Sequence, residues 1–220
     1  MLGVTCYVAA VGTPGIAYHA LETLDDRART LAELAEILAE VGSDHALIGG
    51  LAVGYHARLR ATVDVDMLVP QAKLAALAHA LERRGYHVVQ TRDMIRVYVS
   101  STDPEDPDAE AIADLGAQEA NPVLEAAARC GEAAKVLGHQ VRIVSRGALV
   151  ALQFHAAISS QRAIEDRYQD VADIGRIIAK RFEASDERLA LEIAAHSYPG
   201  AEVALAALVD DLRHGRRVTI

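Results

Sequence analysis

Residues 47–69, LIGGLAVGYHARLRATVDVDMLV, decide the fold. A short apolar stretch runs into Gly49-Gly50, a small-residue segment leads to Arg60 and Thr62, and an apolar strand then carries Asp64 and Asp66 in alternation. Ionised Asp is costly to desolvate and has low strand propensity, so two carboxylates inside a strand need a reason. A bound divalent cation supplies one. Residues i and i+2 of a strand share a face, which sets the two carboxylates roughly 6–7 Å apart along it. That is close enough to reach one magnesium ion or a pair, since paired ions sit about 3.5–4 Å apart. Magnesium takes carboxylate and phosphate oxygens and keeps some of its waters. Gly49-Gly50, at a strand end before a helix, admits a phosphate to the backbone amides, and Arg60 offers a forked donor to a triphosphate. Taken singly, a Gly-Gly also fits a simple turn and an Asp-x-Asp a solvated strand edge. In this order they point to a protein that handles nucleotide phosphates.

Composition narrows the class. The 220 residues fit one large domain or a domain with a helical extension. Apolar residues make up 51%, but Trp is absent and Phe occurs twice, so the core is built from Ala, Leu, Val and Ile, with Ala-rich amphipathic helices as the material. No apolar run reaches the length of a membrane span, and the N-terminal stretch lacks the basic region of a signal peptide. Cys6 and Cys130 make no disulfide framework. No membrane partner and a cytoplasmic location are the expectations. The net charge of −9 argues against a surface that coats nucleic acid. It is uneven, because residues 103–119 hold seven acidic side chains and no basic one, whereas Arg58, Arg60, Arg83, Arg84, Arg92 and Arg96 fall around the motif. A local basic cleft and a set of scattered solvated arginines both fit that distribution.

Periodicity predicts the layout. Residues 1–22 read as an arm, and residues 24–41 follow the helical period with Gly42 as the stop. A short buried strand is expected at 45–48, a short helix at 50–57, a strand at 61–69, a helix at 71–84, and strands at 86–90, 94–100 and 110–115, with a Pro/Asp-rich loop at 102–108. A short helix at 122–130 and a strand at 140–144 follow. Beyond Ser145 nearly everything reads as helix, over 146–159, 164–182, 185–196 and 201–213. The expected domains are the arm (1–22), an α/β domain (23–145) and a helical domain (146–220).

The order Gly-Gly, helix, Asp-x-Asp resembles the signature of the nucleotidyltransferase superfamily, the fold shared with DNA polymerase beta. The stretch Arg60-Ala-Thr-Val-Asp-Val-Asp66 is most similar to the abortive-infection branch of minimal nucleotidyltransferases, which includes toxins of toxin–antitoxin systems. The resemblance spans about residues 45–180. It implies an α/β (α+β) domain with a mixed sheet followed by a C-terminal helical domain. It also implies a third carboxylate on a later strand, for which Asp114 in Ile112-Ala113-Asp114-Leu115 is the match; membership of the neighbouring acidic loop is the alternative. Asp64, Asp66 and Asp114 are then the catalytic and metal-holding residues, with Mg2+ as cofactor. Gly49, Gly50, Arg60, Thr62, Gln153 and Arg167 form the nucleotide-binding set. The implied reaction moves a nucleoside monophosphate from a nucleoside triphosphate to a hydroxyl on tRNA, protein or a small molecule, and an antitoxin is the implied protein partner. Gln153 and Gln169 stand where that branch has lysines, with Arg162 or Arg167 as substitutes. The alternative is a degenerate relative that binds nucleotide or a partner protein and transfers nothing. Arg167 and Asp170 also fit a surface pair on one helix, and His155 a packed histidine.

Overall fold

The computed structural model describes residues 14–58, 62, 64–106 and 108–218, with side chains from residue 25 onward. The chain begins with α1 (Pro14–Val41), which buries Leu31, Leu34, Ile37 and Leu38 at helical spacing. The segment expected as an arm is therefore helical from residue 14. Next come β1 (Ala46–Leu47), α2 (Gly49–His56), β2 (Val65–Val69), α3 (Leu74–Arg83), β3 (His87–Gln90), β4 (Met94–Tyr98) and β5 (Ala113–Ala117). The chain continues through α4 (Pro122–Arg129), β6 (Gly131–Val136), β7 (His139–Val144), α5 (Arg146–Ala157), α6 (Ile164–Lys180), α7 (Ala184–Ala194) and α8 (Ala201–Arg213).

The strands form one mixed sheet in the order β3-β4-β5-β2-β1-β7-β6, as the α/β expectation requires. The β2–β5 and β1–β7 pairs are parallel, and the remaining neighbours are antiparallel. The central position of β2 explains its composition: Val65, Met67, Leu68 and Val69 are all buried, as a strand covered on both faces demands. Each such side chain contributes about 1.5–3 kcal/mol by leaving water. α1 lies along α3 and touches β2 and β7, while α5 packs against α4, α6 and α7.

Two local features depart from the sequence reading. The strand β6, Gly-Glu-Ala-Ala-Lys-Val, has the composition of a helix and was not expected. Leu137 and Gly138 carry φ of 47° and 90°, a two-residue turn that folds residues 131–136 back onto β7 in register from Gly131↔Val144 to Val136↔His139. Pairing overrides propensity there. The strand expected at 110–115 instead runs from Ala113 to Ala117, because its register is set by β2, with Val65 opposite Ala113 and Val69 opposite Ala117.

Candidate active site

The parallel pairing of β2 with β5 puts Asp66 opposite Asp114. Asp64 lies at a bend one residue before β2 rather than on the strand. The bend brings it closer than strand geometry alone would: one oxygen from each of Asp64, Asp66 and Asp114 lies within 4.8 Å of the other two. Three like charges at that spacing repel by on the order of 3 kcal/mol per pair at an effective dielectric of about 20. Arg96, opposite Asp114 on β4, offsets part of this, with Nε 3.6 Å from Asp114 Oδ2. Asp114 Oδ1 is buried and has no hydrogen-bond partner among the described residues. Burial, reinforced by the Asp64 charge, pushes the Asp114 carboxyl above the usual carboxylate range, and Arg96 opposes the shift. Hard oxygen donors, half-buried, with an orphaned carboxylate oxygen, fit a divalent cation such as magnesium.

The glycines seat this group. Gly49 has a φ of +62°, and a Cβ there would lie 1.8 Å from Asp66 Oδ2. A Cβ at Gly50 would lie 2.4 Å from Thr62 Oγ1. Glycine at both positions lets the loop and the carboxylate close down on the start of α2. Beyond the phosphate approach or simple turn expected of these glycines, the structure adds the seating of Asp66 and Thr62. Thr62 Oγ1 donates to Asp64 Oδ1 at 3.3 Å, and Arg27 Nε of α1 donates to the Thr62 carbonyl at 3.3 Å. Arg27 is a support that no motif marks. Ile48, at the start of α2, provides no side-chain cap. At the far end of α2, His56 Nε2 donates to the Val144 carbonyl at 2.8 Å, and burial holds its ring below the usual histidine range.

These elements enclose a cleft of about 430 Å3. One wall carries Gly49, Gly50, Thr62 and the three aspartates, and the other is supplied by α4, α5, the α5–α6 connection and α6 through Leu124, Leu149, Leu152, Gln153, His155, Arg162 and Asp170. Gln153 is buried at 5% exposure and lines the cleft. His155 Nδ1 meets Ser197 Oγ at 3.1 Å, and burial keeps this ring below its usual range.

The remaining sequence-derived positions divide. Arg60 lies outside the described residues. Arg167 does not line the cleft: its Nε donates to the Ala157 carbonyl at 2.7 Å, tying α6 to the end of α5. The cation that reaches the cleft is Arg162, whose Nε is 3.3 Å from Asp170 Oδ2. Asp170 thus pairs across the α5–α6 connection, not with Arg167 along the helix. Gln169 is also elsewhere, donating to Asp173 Oδ1 at 3.1 Å along α6. Helical periodicity could have separated these residues, because Gln169 and Asp173 are four apart and share one face.

No protein-family model matches the chain, and no curated protein matches it in sequence. Solved structures do. An antigenic nucleotidyltransferase-like protein from Paracoccidioides brasiliensis superposes with a TM-score of 0.52 at 16% identity, over 83% of this chain and 93% of that one. The antibiotic-resistance factor ANT(2'')-Ia in solution gives a TM-score of 0.52 at 14% identity, over 86% of this chain and 98% of that one. Its crystal complex with adenylyl-2"-tobramycin gives 0.50 at 17% identity over the same 86% and 98%. No helix among the described residues is long and apolar enough to cross a membrane. The chain has the fold of these nucleotidyltransferases.

Proposed function

We propose that the chain is a magnesium-dependent nucleotidyltransferase, moving a nucleoside monophosphate from a nucleoside triphosphate to a hydroxyl acceptor. The observation that carries this reading is the convergence of Asp64, Asp66 and Asp114 within 4.8 Å, beside Gly49-Gly50 at the start of α2. Asp64 and Asp66, helped by Asp114, would hold the cation, which when bound neutralises the triphosphate and the charge that grows on the leaving pyrophosphate. The α2 amides and Arg162 receive phosphate oxygens. Leu124, Leu149, Leu152 and His155 give the nucleoside an apolar wall with one polar edge. Asp114, on the strand beside the cation site, takes the proton of the attacking hydroxyl. The acceptor oxygen bonds to the α-phosphorus as the bond to the β-phosphate oxygen breaks, and pyrophosphate leaves with that electron pair.

The stretch from Arg60 to Asp66 supports the toxin–antitoxin branch as the narrower reading. A small adjacent reading frame whose product binds this chain is the observation that tests it. A second reading, nucleotide binding without transfer, has one observation in its favour: no lysine lines the cleft among the described residues, and Gln153 occupies a buried position on its wall. Calorimetric titration of each nucleoside triphosphate, with magnesium and with chelator, separates the readings when paired with label transfer. Magnesium-dependent binding that Asp64→Ala abolishes, together with transfer of α-phosphate label, supports the enzyme. Binding without transfer supports the second reading, and no binding removes both.

A further inference from the structure

Arg96 on β4 stands directly across the sheet from Asp114 on β5, and its Nε lies 3.6 Å from Asp114 Oδ2. Opposed residues of an antiparallel pair share a face, so the Arg96 stem runs beside the carboxylate and is held there by the sheet register. Arg96, Asp64 and Asp114 line one cavity of about 280 Å3, which keeps the guanidinium on the side of the sheet that bears the acidic group. Asp114 is the one carboxylate paired with Arg96 among the described residues. The other oxygen of that carboxylate, Oδ1, is buried and has no hydrogen-bond partner among the described residues. Asp114 thus gives one oxygen to a resident guanidinium and keeps the second for a bound ion.

Charge and space both limit how many ions this group takes. Three carboxylates and one guanidinium leave two negative charges, which a single divalent cation balances. One oxygen from each aspartate lies within 4.8 Å of the other two, close enough for one magnesium ion to gather with bonds of ~2.0–2.1 Å. Paired ions sit about 3.5–4 Å apart, so a second ion would stand against Asp114 and draw on Oδ2. It would meet the guanidinium there. Arginine stays protonated in proteins, so that charge can be displaced but not neutralised.

We propose that Arg96 fills the place of a second catalytic cation, so that the chain binds one divalent cation per bound nucleotide and supplies the other positive charge beside Asp114 from its own β4 strand. This rests on the nucleotidyltransferase reading. Arg96 holds Asp114 by Oδ2 and leaves Oδ1 to the cation. It also keeps positive charge at the reacting group when cation is too scarce to fill a second site.

The test uses the full chain, Mn2+ as a paramagnetic probe, and the α,β-methylene analogues of the four nucleoside triphosphates, which bind without transferring. Equilibrium dialysis gives the Mn2+ and the nucleotide bound per chain. One Mn2+ per bound nucleotide is expected in the parent chain and in Arg96→Lys, whose ammonium reaches the place of the guanidinium carbon. Two are expected in Arg96→Gln, the second at least tenfold tighter than in the parent, with the multiline electron paramagnetic signal of coupled Mn2+ ions about 3.5–4 Å apart. An Arg96 that only supports the strand would leave the count unchanged. Two Mn2+ per nucleotide in the parent, or one in Arg96→Gln, overturns the role of Arg96 and leaves the nucleotidyltransferase reading standing. Failure of the parent chain to bind any of the four analogues with Mn2+ overturns that reading, and the role of Arg96 with it.

Discussion

Gly49→Ala tests how tightly the carboxylate group is built. The native φ of +62° costs an L-residue about 1–2 kcal/mol. The new Cβ would stand 1.8 Å from Asp66 Oδ2, and ordinary contact begins near 3.4 Å, so the carboxylate must retreat by roughly 1.6 Å. Turning Asp66 off its rotamer adds about 0.5–1.5 kcal/mol. The expected loss of stability is therefore about 1.5–3.5 kcal/mol. A misplacement of about 1 Å at a reacting centre can cost ~100-fold, so turnover should fall by at least about that factor. Gly42→Ala is the matched control, with the same φ of +62° and nothing within 4 Å of its Cβ. Thermal melts of both variants measure the shared backbone cost, and calorimetry with magnesium and nucleotide measures the displacement specific to Gly49. Nucleotide affinity in Gly49→Ala equal to that in Gly42→Ala would refute the seating of Asp66 by this glycine.

Three further outcomes are expected. The raised Asp114 carboxyl gives up stability on ionising, so its contribution is full at low pH and lost as pH rises through the folded-state value. In chelator, Asp114→Asn should therefore melt above the parent chain at pH 7, with the gap closing toward pH 4, and a gap independent of pH contradicts the burial argument. Magnesium at 100 times its dissociation constant should stabilise the parent chain by about 2.7 kcal/mol, and Asp64→Asn should show little of this shift by thermal melt. Gln153→Lys places a cation on the wall of the nucleotide cleft and should tighten nucleoside triphosphate binding about tenfold or more, from a charge-assisted contact of ~1.5–3 kcal/mol. Gln169→Lys should not, because Gln169 is bound to Asp173 outside the cleft, and equal gains in a calorimetric comparison would contradict that placement.

The distribution of the candidate site residues along the chain explains which were legible. Gly49, Gly50, Asp64 and Asp66 lie within 18 residues, close enough in the chain for local structure to bring them together, and all line the cleft. Asp114 was marked by an acid among apolar neighbours, and the β2–β5 register carries it to Asp66. Arg162 and Arg167 are five apart beside one helix start, and sequence could not say which turns inward; the Ala157 carbonyl takes Arg167.

The sequence by itself determined the local grammar: apolar periods for the helices, a buried central strand, and glycines and aspartates at spacings that suit metal and phosphate. The tertiary structure decided what depends on pairing between distant segments. It turned the helix-like residues 131–136 into β6 through the Leu137–Gly138 turn, chose Arg162 over Arg167, and brought Asp114 within 4.8 Å of Asp64 and Asp66. The physical reason is that propensity and periodicity act over a few residues, while sheet register and burial set the position of every side chain that faces the cleft.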